Sequence, residues 1–203
     1  MKKNQVELSL FQEGIKIVAG VDEAGRGACA GPLVASAVAI DHLSPLLQSE
    51  ISDSKRLSET KRQFLYEFIY QHALAVSVVM ISPAEIDRHG LQKMNESAMR
   101  RAVGQLPLTP DYVLLDGYQI RGITSPSLSI WKGDLISLAI GAASIIAKVV
   151  RDREMVDLAE EFPDYGFDRH KGYATDSHMK AVKKFGVSAI HRKSYKNIAH
   201  YIN

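Results

Sequence analysis

The chain has 203 residues, 46% of them hydrophobic and 24% charged, which is typical of a globular protein with a buried core and excludes a fibrous or disordered chain. Its net charge of +2 is too small to indicate nucleic-acid binding by itself. No apolar run approaches the roughly 18 residues of a membrane span, and a single cysteine, Cys29, excludes an intrachain disulfide.

The first half of the chain predicts alternating strands and helices. The apolar, β-branched run from Ile15 to Val21 indicates a strand. The run from Leu33 to Ile40 is apolar on both faces, so we expect a central strand that pairs antiparallel with the first. Ser58 is placed to cap a helix from about Glu59 to His72, and a third strand is expected from Ala73 to Ile81.

The second half predicts two further strands and several helices. Ser82 and Pro83 fit the cap and first position of a helix, which Gly90 interrupts. The remaining expected elements are a helix from Leu91 to Val103, a strand from Tyr112 to Gly117, a short strand-like segment from Ser129 to Asp134, a long helix from about Leu135 to Glu161, and a helix near Thr175 to Phe185. This order indicates one α/β domain over residues 1–203, with a mixed sheet and a helical C-terminal segment.

Acidic residues follow three of the predicted strands. Asp22 and Glu23 follow the first strand, Asp116 ends the fourth, and Asp134 ends the short segment before the long helix. In open α/β sheets the ligand site lies outside the carboxyl ends of the strands, so we expect these acids to converge. Four carboxylates repel one another, and a divalent cation that prefers oxygen ligands, Mg²⁺ or Mn²⁺, relieves that repulsion. Two such ions would suit an in-line phosphoryl displacement.

One feature of this pattern needs a local distortion. Adjacent residues of a regular strand point to opposite faces, so Asp22 and Glu23 both reach one site only if the strand twists or ends there. Gly25 and Gly27, which flank Arg26, permit tight turns and close approach of the backbone to a ligand. We therefore interpret this stretch as half of a metal site followed by a substrate loop lined by backbone.

Several ordered motifs carry a family resemblance. They are Ala19–Gly27 with Gly31–Pro32, Asp53–Ser58, Asp116–Gly117, Lys132–Asp134 followed by Ala142–Val149 and Arg151–Asp152, His170–Tyr173, and His191–Tyr195. Together they resemble bacterial ribonuclease HII, the type 2 ribonuclease H enzymes, and the resemblance covers most of the chain. It implies a ribonuclease H-like fold with a mixed central sheet flanked by helices.

The resemblance also implies an activity and a set of site residues. The family cuts the RNA strand of RNA–DNA hybrids and the 5′ side of single ribonucleotides in duplex DNA, leaving 3′-hydroxyl and 5′-phosphate ends. Such an activity would serve ribonucleotide removal in DNA repair and replication. By the resemblance, Asp22, Glu23, Asp116 and Asp134 would be catalytic and hold two Mn²⁺ or Mg²⁺ ions. The backbone of Gly25, Arg26 and Gly27 would recognise the ribose 2′-hydroxyl, and Tyr173 would pack on the sugar at the junction.

Other polar residues have two interpretations at this point. Lys55, Ser144, Lys148 and Arg192 would either contact phosphates or take part in structural hydrogen bonds and ion pairs. His178 and His191 are expected to be ordinary hydrogen-bonded histidines rather than phosphate donors, and Trp131 is expected in the core rather than as a stacking platform for bases.

The charge distribution adds a candidate surface. From Asp168 to the C-terminus there are eight lysines and arginines against two acidic residues, so a segment of about residues 165–203 is a candidate surface for nucleic-acid phosphates. A solvated lysine-rich helix face is the alternative. We expect the protein to be cytoplasmic, because the N-terminal residues carry no signal-peptide core. We also expect a monomer that acts on nucleic acid and not at a membrane.

Three rival interpretations stay open on the sequence. The first is a different two-metal nuclease or phosphotransferase, which would keep the four acids but have no use for the Gly25–Gly27 loop beside Tyr173. The second is a binding module without catalysis, against which the acids argue because carboxylates facing phosphates are unfavourable without metal. The third is a set of acids that only cap loops.

Overall fold

The computed structural model of the chain describes residues 4–49, 51 and 57–202. Five strands form one sheet in the order β3-β2-β1-β4-β5. They are β1 (Ile17–Ala24), β2 (Leu33–Asp41), β3 (Ala75–Ile81), β4 (Tyr112–Asp116) and β5 (Ser127–Ile130). β1 pairs antiparallel with β2 and β2 with β3, whereas β4 pairs parallel with both β1 and β5. The predicted mixed sheet is therefore confirmed.

Eight α-helices are described. They are α1 (Gln5–Gln12), α2 (Glu59–His72), α3 (Pro83–His89), α4 (Leu91–Gly104), α5 (Leu138–Glu161), α6 (Phe167–His170), α7 (Asp176–Phe185) and α8 (Lys196–Ala199), with short 3-10 helices at Pro45–Gln48 and Gly133–Leu135. The predicted bounds of α2 are confirmed, and the Ser58 side chain accepts a hydrogen bond from the Lys61 amide at its start. A capping box between Ser82 and Glu85 starts α3.

Two apolar layers lie on the two faces of the sheet. On one face, α3 and α4 bury residues such as Met99 and Ala102 against Ala19 and Val21 of β1. On the other face, α5 and α2 pack against β2. The sheet is thus covered on both faces, as predicted from its apolar strands.

The long helix α5 lies unusually close to β1. A Cβ atom at Gly20 would overlap the backbone of Ala139, so only glycine permits this approach. The Ser36 hydroxyl of β2 also donates a hydrogen bond to the Ala143 carbonyl at 2.7 Å. This close packing brings the middle of α5 beside the end of β1, where the acidic residues lie.

The structure corrects three element predictions. β1 runs to Ala24, so Asp22 and Glu23 lie inside the strand rather than after it. The second correction concerns the boundary between β5 and α5. β5 ends at Ile130 rather than at Asp134, and α5 begins at Leu138, because Gly133–Leu135 forms a separate 3-10 turn that carries Asp134.

The third correction is α1, which the sequence analysis did not predict. It is fixed by the buried carboxylate of Glu7, which accepts hydrogen bonds from Ser137 and from the Ala139 amide at the start of α5. That tertiary contact is not visible in the local sequence pattern.

Candidate active site

Three of the four predicted acids meet at the carboxyl ends of the inner strands β1 and β4. Asp22, Glu23 and Asp116 each offer a carboxylate oxygen, and these oxygens lie within 4.8 Å of one another. Asp22 and Glu23 come from β1, and Asp116 comes from the end of the adjacent parallel strand β4. The predicted convergence is therefore observed for these three residues.

Both neighbouring acids of β1 reach the cluster although the strand does not end there. Glu23 and Ala24 continue the antiparallel pairing with β2, whereas the parallel pairing with β4 is described only as far as Val21. Asp22 and Glu23 thus lie just beyond the described register of β1 with β4, next to Asp116 at the end of β4. The Asp22 Oδ1 atom accepts a hydrogen bond from the Glu23 amide at 2.7 Å.

The electrostatics of Asp22 are those of a crowded carboxylate site. Burial raises the pKa of Asp22 well above its usual value, and the neighbouring charges of Glu23 and Asp116 raise it further. A hydrogen bond from Ser144 on α5 and the one from the Glu23 amide act in the opposite direction. A cation bound among these oxygens would compensate for both the burial and the repulsion.

The fourth acid lies on the wall of a cavity beside this cluster. Gly133 donates its amide to Asp116 Oδ1 at 2.6 Å, and the 3-10 turn that follows places Asp134 nearby. Asp134 is mostly buried and lines one cavity together with Glu23 and Asp116. Within the described part of the chain, however, the group of three mutually close acids does not include it.

The donor set fits a hard divalent cation. The cluster consists of carboxylates, and oxygen ligands are those that Mg²⁺ and Mn²⁺ prefer. One of its members is buried with a raised pKa, which is the expected state of a carboxylate placed among like charges without a counter-ion. The arrangement is therefore suited to hold metal rather than to stabilise the fold.

A buried arginine of α5 packs against Gly25 of the predicted substrate loop and bonds to the segment that follows this loop. Arg151 donates from Nε to the Pro32 carbonyl at 2.9 Å and from Nη2 to the Ala30 carbonyl at 3.1 Å. Gly25 has φ +89°, and a Cβ atom there would overlap the Arg151 side chain. Glycine is therefore needed at residue 25 for both its conformation and its contact.

A second buried arginine supports the same loop from the C-terminal segment. Arg192 is fully buried, with its guanidinium bonded to the carbonyls of Gly31 and Arg26 and to the Tyr195 hydroxyl. A guanidinium in this position faces backbone and not solvent. Of the two interpretations left open by the sequence, the structure supports the structural role for Arg192 and not the phosphate contact.

A groove beside the acids brings together most of the other predicted substrate residues. It is a cavity of about 690 Å³ lined by Glu23, Ala24, Gly25, Arg26, Gly27, Arg62, Ser144, Lys148 and Tyr173. Lys148 also pairs with Asp152 at 2.7 Å, and Ser144 bonds to Asp22. The predicted contact Lys55 lies outside the described residues.

Arg62 is a groove residue that the sequence analysis missed. It lies in the first turn of α2, and its Nη1 atom donates to the Leu57 carbonyl at 3.0 Å. Arg62 could have been predicted from its position, because it follows closely after the polar stretch Asp53–Ser58, which contains the predicted phosphate contact Lys55.

Tyr173 lies across the groove from the glycine loop. A Cβ atom on Gly27 would come 3.9 Å from its Cε1 atom, and the Arg151 guanidinium lies 5.4 Å from the centre of its ring. The ring is partly exposed, so one edge is available to a ligand.

A chain of histidines holds the backbone of Tyr173. Ser188 donates its amide to His191 Nδ1 at 3.0 Å, the Nε2 atoms of His191 and His178 are 3.0 Å apart, and His178 Nδ1 is 2.9 Å from the Tyr173 carbonyl. The arrangement is consistent with each neutral ring donating to the next. His178 and His191 are buried and bonded to protein groups, which agrees with the prediction of ordinary histidines.

The cavity that Asp134 lines with Glu23 and Asp116 is separate from the groove and opens on the other side of Glu23 and Arg26; we call it the second cavity. It has a volume of about 200 Å³ and reaches from the acids to Gln92 and Asn95 of α4 and to Tyr118, Trp131 and Lys132 of the loops after β4 and β5. The side chain of Trp131 is 65% exposed, so its predicted place in the core is wrong. The residue follows the short strand β5, which lies at one side of the sheet.

These features define a class of protein. A mixed five-stranded sheet flanked by helices, with carboxylates at the ends of two adjacent parallel strands, is the framework of a nuclease of the ribonuclease H fold. The chain matches the crystal structure of ribonuclease H2 from Pyrococcus horikoshii OT3 with a TM-score of 0.79 and 27% identity, covering 91% of this chain and 96% of the other. It matches ribonuclease HII of Archaeoglobus fulgidus, solved in a complex with PCNA, with a TM-score of 0.76 and 29% identity, covering 89% and 95%.

Sequence comparison gives the family within that class. The family model described as Ribonuclease HII matches residues 19–198. Ribonuclease HII of Cutibacterium acnes is 48% identical over 95% of this chain and 94% of its own length, and that of Mycobacterium avium is 46% identical over 98% and 86%. The chain belongs to the ribonuclease HII family of metal-dependent endonucleases, which hydrolyse the RNA strand of RNA–DNA hybrids.

Among the described residues, no helix is long and apolar enough to cross a membrane.

Proposed function

We propose that the chain cuts the 5′ side of single ribonucleotides in duplex DNA as well as RNA in RNA–DNA hybrids. The observation that carries this proposal is the glycine loop placed directly beside the acidic cluster. Gly25 and Gly27 leave its backbone open to the groove, and Glu23 belongs to both the groove and the cluster. A sugar hydroxyl bound by that backbone would lie next to the reacting phosphate. The 2′-hydroxyl is the group that distinguishes RNA from DNA at such a site.

The four acids would hold the metal. Asp22, Glu23 and Asp116 form the close group, and Asp134 on the cavity wall would complete the set. A pair of Mg²⁺ or Mn²⁺ ions held there would supply an activated water and stabilise the leaving oxygen of an in-line displacement. Hydrolysis of this kind at the 5′ side of the ribonucleotide leaves a 3′-hydroxyl and a 5′-phosphate.

The remaining groove residues would bind and orient the strand. Lys148 and Arg62 place positive charge along the groove, and Ser144 offers a hydroxyl beside Asp22. Such contacts fix the position of the backbone without reading base sequence. Tyr173 would pack on the sugar that follows the ribonucleotide, and Arg151 beneath its ring would keep that ring in place.

The same proposal covers the whole chain. Residues 1–203 would act as one catalytic domain and as a monomer in the cytoplasm, in the removal of ribonucleotides during DNA replication and repair. The basic segment of about residues 165–203 would face the phosphates of the duplex through its exposed lysines. Its buried members, such as Arg192, support the loop instead.

The test is cleavage of a labelled DNA duplex that contains one ribonucleotide, with Mg²⁺, with Mn²⁺ and with chelator. We expect a metal-dependent cut on the 5′ side of the ribonucleotide, and loss of that cut in Asp116→Asn by about a hundredfold or more. The asparagine keeps an oxygen that can accept the Gly133 amide, so the fold should persist. Asp164→Asn, on the surface after α5, is the matched control. Equal cleavage of an all-DNA duplex would contradict the proposal and favour a different two-metal nuclease.

A further inference from the structure

Apart from the acids Glu23, Asp116 and Asp134 on its wall, the second cavity is not used by the roles assigned so far. It shares Glu23 and Arg26 with the groove but extends away from it, toward α4 and the loops after β4 and β5. The acids therefore lie between two cavities. This cavity therefore offers a path by which a polynucleotide strand that crosses the acids can leave the groove.

Two exposed aromatic rings form one wall of this cavity. Tyr118 is 56% exposed and Trp131 is 65% exposed, and their ring centres lie 6.0 Å apart in an edge-to-face arrangement. Large aromatic side chains bury their surface when they can, so an exposed pair at a cavity mouth indicates a binding surface. The Arg26 guanidinium lies 6.0 Å from the Tyr118 ring centre and connects the pair to the substrate loop.

A buried polar group on the opposite wall lacks a partner. Asn95 is 6% exposed, and within the described part of the chain its amide oxygen has no hydrogen-bond partner, while its amide nitrogen contacts only the Met99 sulfur at 3.7 Å. A buried polar atom without a partner costs free energy, so such atoms are usually satisfied by a ligand or water. Asn95 lines the cavity, so a group bound there is a candidate partner for this oxygen.

The rim of the cavity carries positive charge for a phosphate backbone. Lys132 lies beside Trp131 with a left-handed backbone (φ 54°), and Arg26 lies at the boundary with the groove, bonded to Gln92 at 2.9 Å. A cavity with aromatic faces, an unpartnered amide and flanking cations has the chemistry that recognises a nucleotide.

We propose that this cavity, lined by Asn95, Tyr118 and Trp131, binds the nucleotide on the 5′ side of the scissile phosphate, whose 3′-oxygen is the leaving group. The bases of a duplex are paired and stacked, so the aromatic rings pack against the sugar face and the minor-groove edge of that nucleotide. The Asn95 oxygen accepts a hydrogen bond from the same unit. This inference rests on the proposed function, because it takes the ribonucleotide itself to lie at the Gly25–Gly27 loop.

The chain has one tryptophan, so Trp131 fluorescence reports directly on the cavity. The experiment uses Asp116→Asn to prevent turnover and follows binding independently with a dye on the opposite DNA strand. One duplex carries a single ribonucleotide with DNA on both sides. The second duplex is identical except that the strand begins with the 5′-phosphorylated ribonucleotide, so the nucleotide in question is absent.

We expect the full duplex to quench Trp131 fluorescence and the truncated duplex to bind with little quenching. Trp131→Ala should weaken binding of the full duplex about tenfold and leave binding of the truncated duplex unchanged. Trp131→Phe should restore most of the affinity, and Asn95→Leu should weaken binding of the full duplex several-fold. In the enzyme with its acids intact, Trp131→Ala should raise KM about tenfold with kcat unchanged.

Phe64→Ala is the control, because Phe64 is 60% exposed on α2 and lines neither cavity. Equal quenching by both duplexes, or an unchanged affinity of Trp131→Ala for the full duplex, would overturn the inference. If the unaltered chain still cuts 5′ of the ribonucleotide in that case, the proposed function stands without it. Absence of any ribonucleotide-directed cut would overturn both.

Discussion

The buried guanidinium of Arg192 donates a hydrogen bond from Nη1 to the backbone carbonyl of Arg26 at 3.2 Å, across 166 positions of the chain. The Tyr195 hydroxyl donates to the same carbonyl at 2.7 Å. Arg192 also donates from Nε and Nη2 to the Gly31 carbonyl at 3.1 and 3.0 Å. The C-terminal segment therefore holds the loop that carries Gly25 and Gly27. Arg192 itself is buried and does not line the groove.

A lysine at residue 192 cannot span these carbonyls, because its ammonium is a single point donor. We expect Arg192→Lys to lower the free energy of unfolding by about 1–3 kcal/mol, since a buried carbonyl loses its partner. Cleavage should also fall, because the substrate loop is then held less firmly. The slope of log binding constant against log salt concentration should stay unchanged. Lys148→Gln, which removes a charge from the groove, should instead reduce that slope by about 1 with little change in stability. A slope reduced by about 1 in Arg192→Gln, which removes the charge as Lys148→Gln does, would mean that Arg192 contacts phosphate after all.

Because carboxylates crowd around Asp22, we predict that removing its charge stabilises the metal-free protein and weakens metal binding. The raised pKa of Asp22 means that its charge is unfavourable in the metal-free protein at neutral pH. Asp22→Asn keeps an oxygen that can accept the Ser144 hydroxyl, so we expect the metal-free variant to melt a few degrees above the unaltered chain. Mg²⁺ or Mn²⁺ should raise the melting temperature of the unaltered chain but not that of the variant. A lower melting temperature of the metal-free variant would contradict this account.

Gly25 can be tested against a glycine of the same conformation. Gly25 has φ +89° and contacts Arg151, whereas Gly14 has φ +90° and open space around its Cα atom. Gly14→Ala should cost about 1–2 kcal/mol of strain and leave cleavage intact. Gly25→Ala carries the same strain and also displaces Arg151, so it should cost more stability and lower ribonucleotide-dependent cleavage at least tenfold. Thermal melting and cleavage of the two variants, measured in parallel, separate the contact from the strain. Equal losses of stability and of cleavage in Gly14→Ala and Gly25→Ala would show that the contact of Gly25 with Arg151 is not needed for cleavage.

The buried histidines predict an acid-sensitive fold. Burial lowers the pKa of His178 to about 4, and burial together with the charge of His178 lowers the pKa of His191 to about 4. The unfolded chain takes up these protons near its ordinary pKa of about 6.5, whereas the folded chain takes them up only near pH 4. Their contribution to stability is therefore complete above pH 6.5 and is lost as the pH falls from there toward 4.

Urea unfolding at pH 7, 6, 5 and 4.5 measures this effect. His191→Gln removes one of the two groups and should flatten the dependence of the unfolding free energy on pH, at the expense of stability at pH 7. His200→Gln, which removes an exposed histidine near the C-terminus, controls for a general change of composition. A free energy of unfolding that does not change between pH 6.5 and 5 would show that the histidine chain opens without loss of the fold.

Much of the fold was predictable because its signals are local. Short apolar runs indicated the strands, apolar residues at helical spacing indicated helices, and the Ser58 and Ser82 caps located two helix starts. α1 escaped prediction because it depends on Glu7, whose carboxylate binds the start of α5 about 130 residues later. No local pattern contains that contact.

The sequence by itself determined the residue types of the site, because the order of acids, glycines and Tyr173 along the chain is legible in its motifs. Only the tertiary structure decided which of them meet. It grouped Asp22, Glu23 and Asp116, and it buried Arg192 beneath the substrate loop. It also left Trp131 in solvent at a second cavity. The physical reason is that burial and convergence depend on the sheet order β3-β2-β1-β4-β5 and on the close packing of α5, and both are properties of contacts between distant segments.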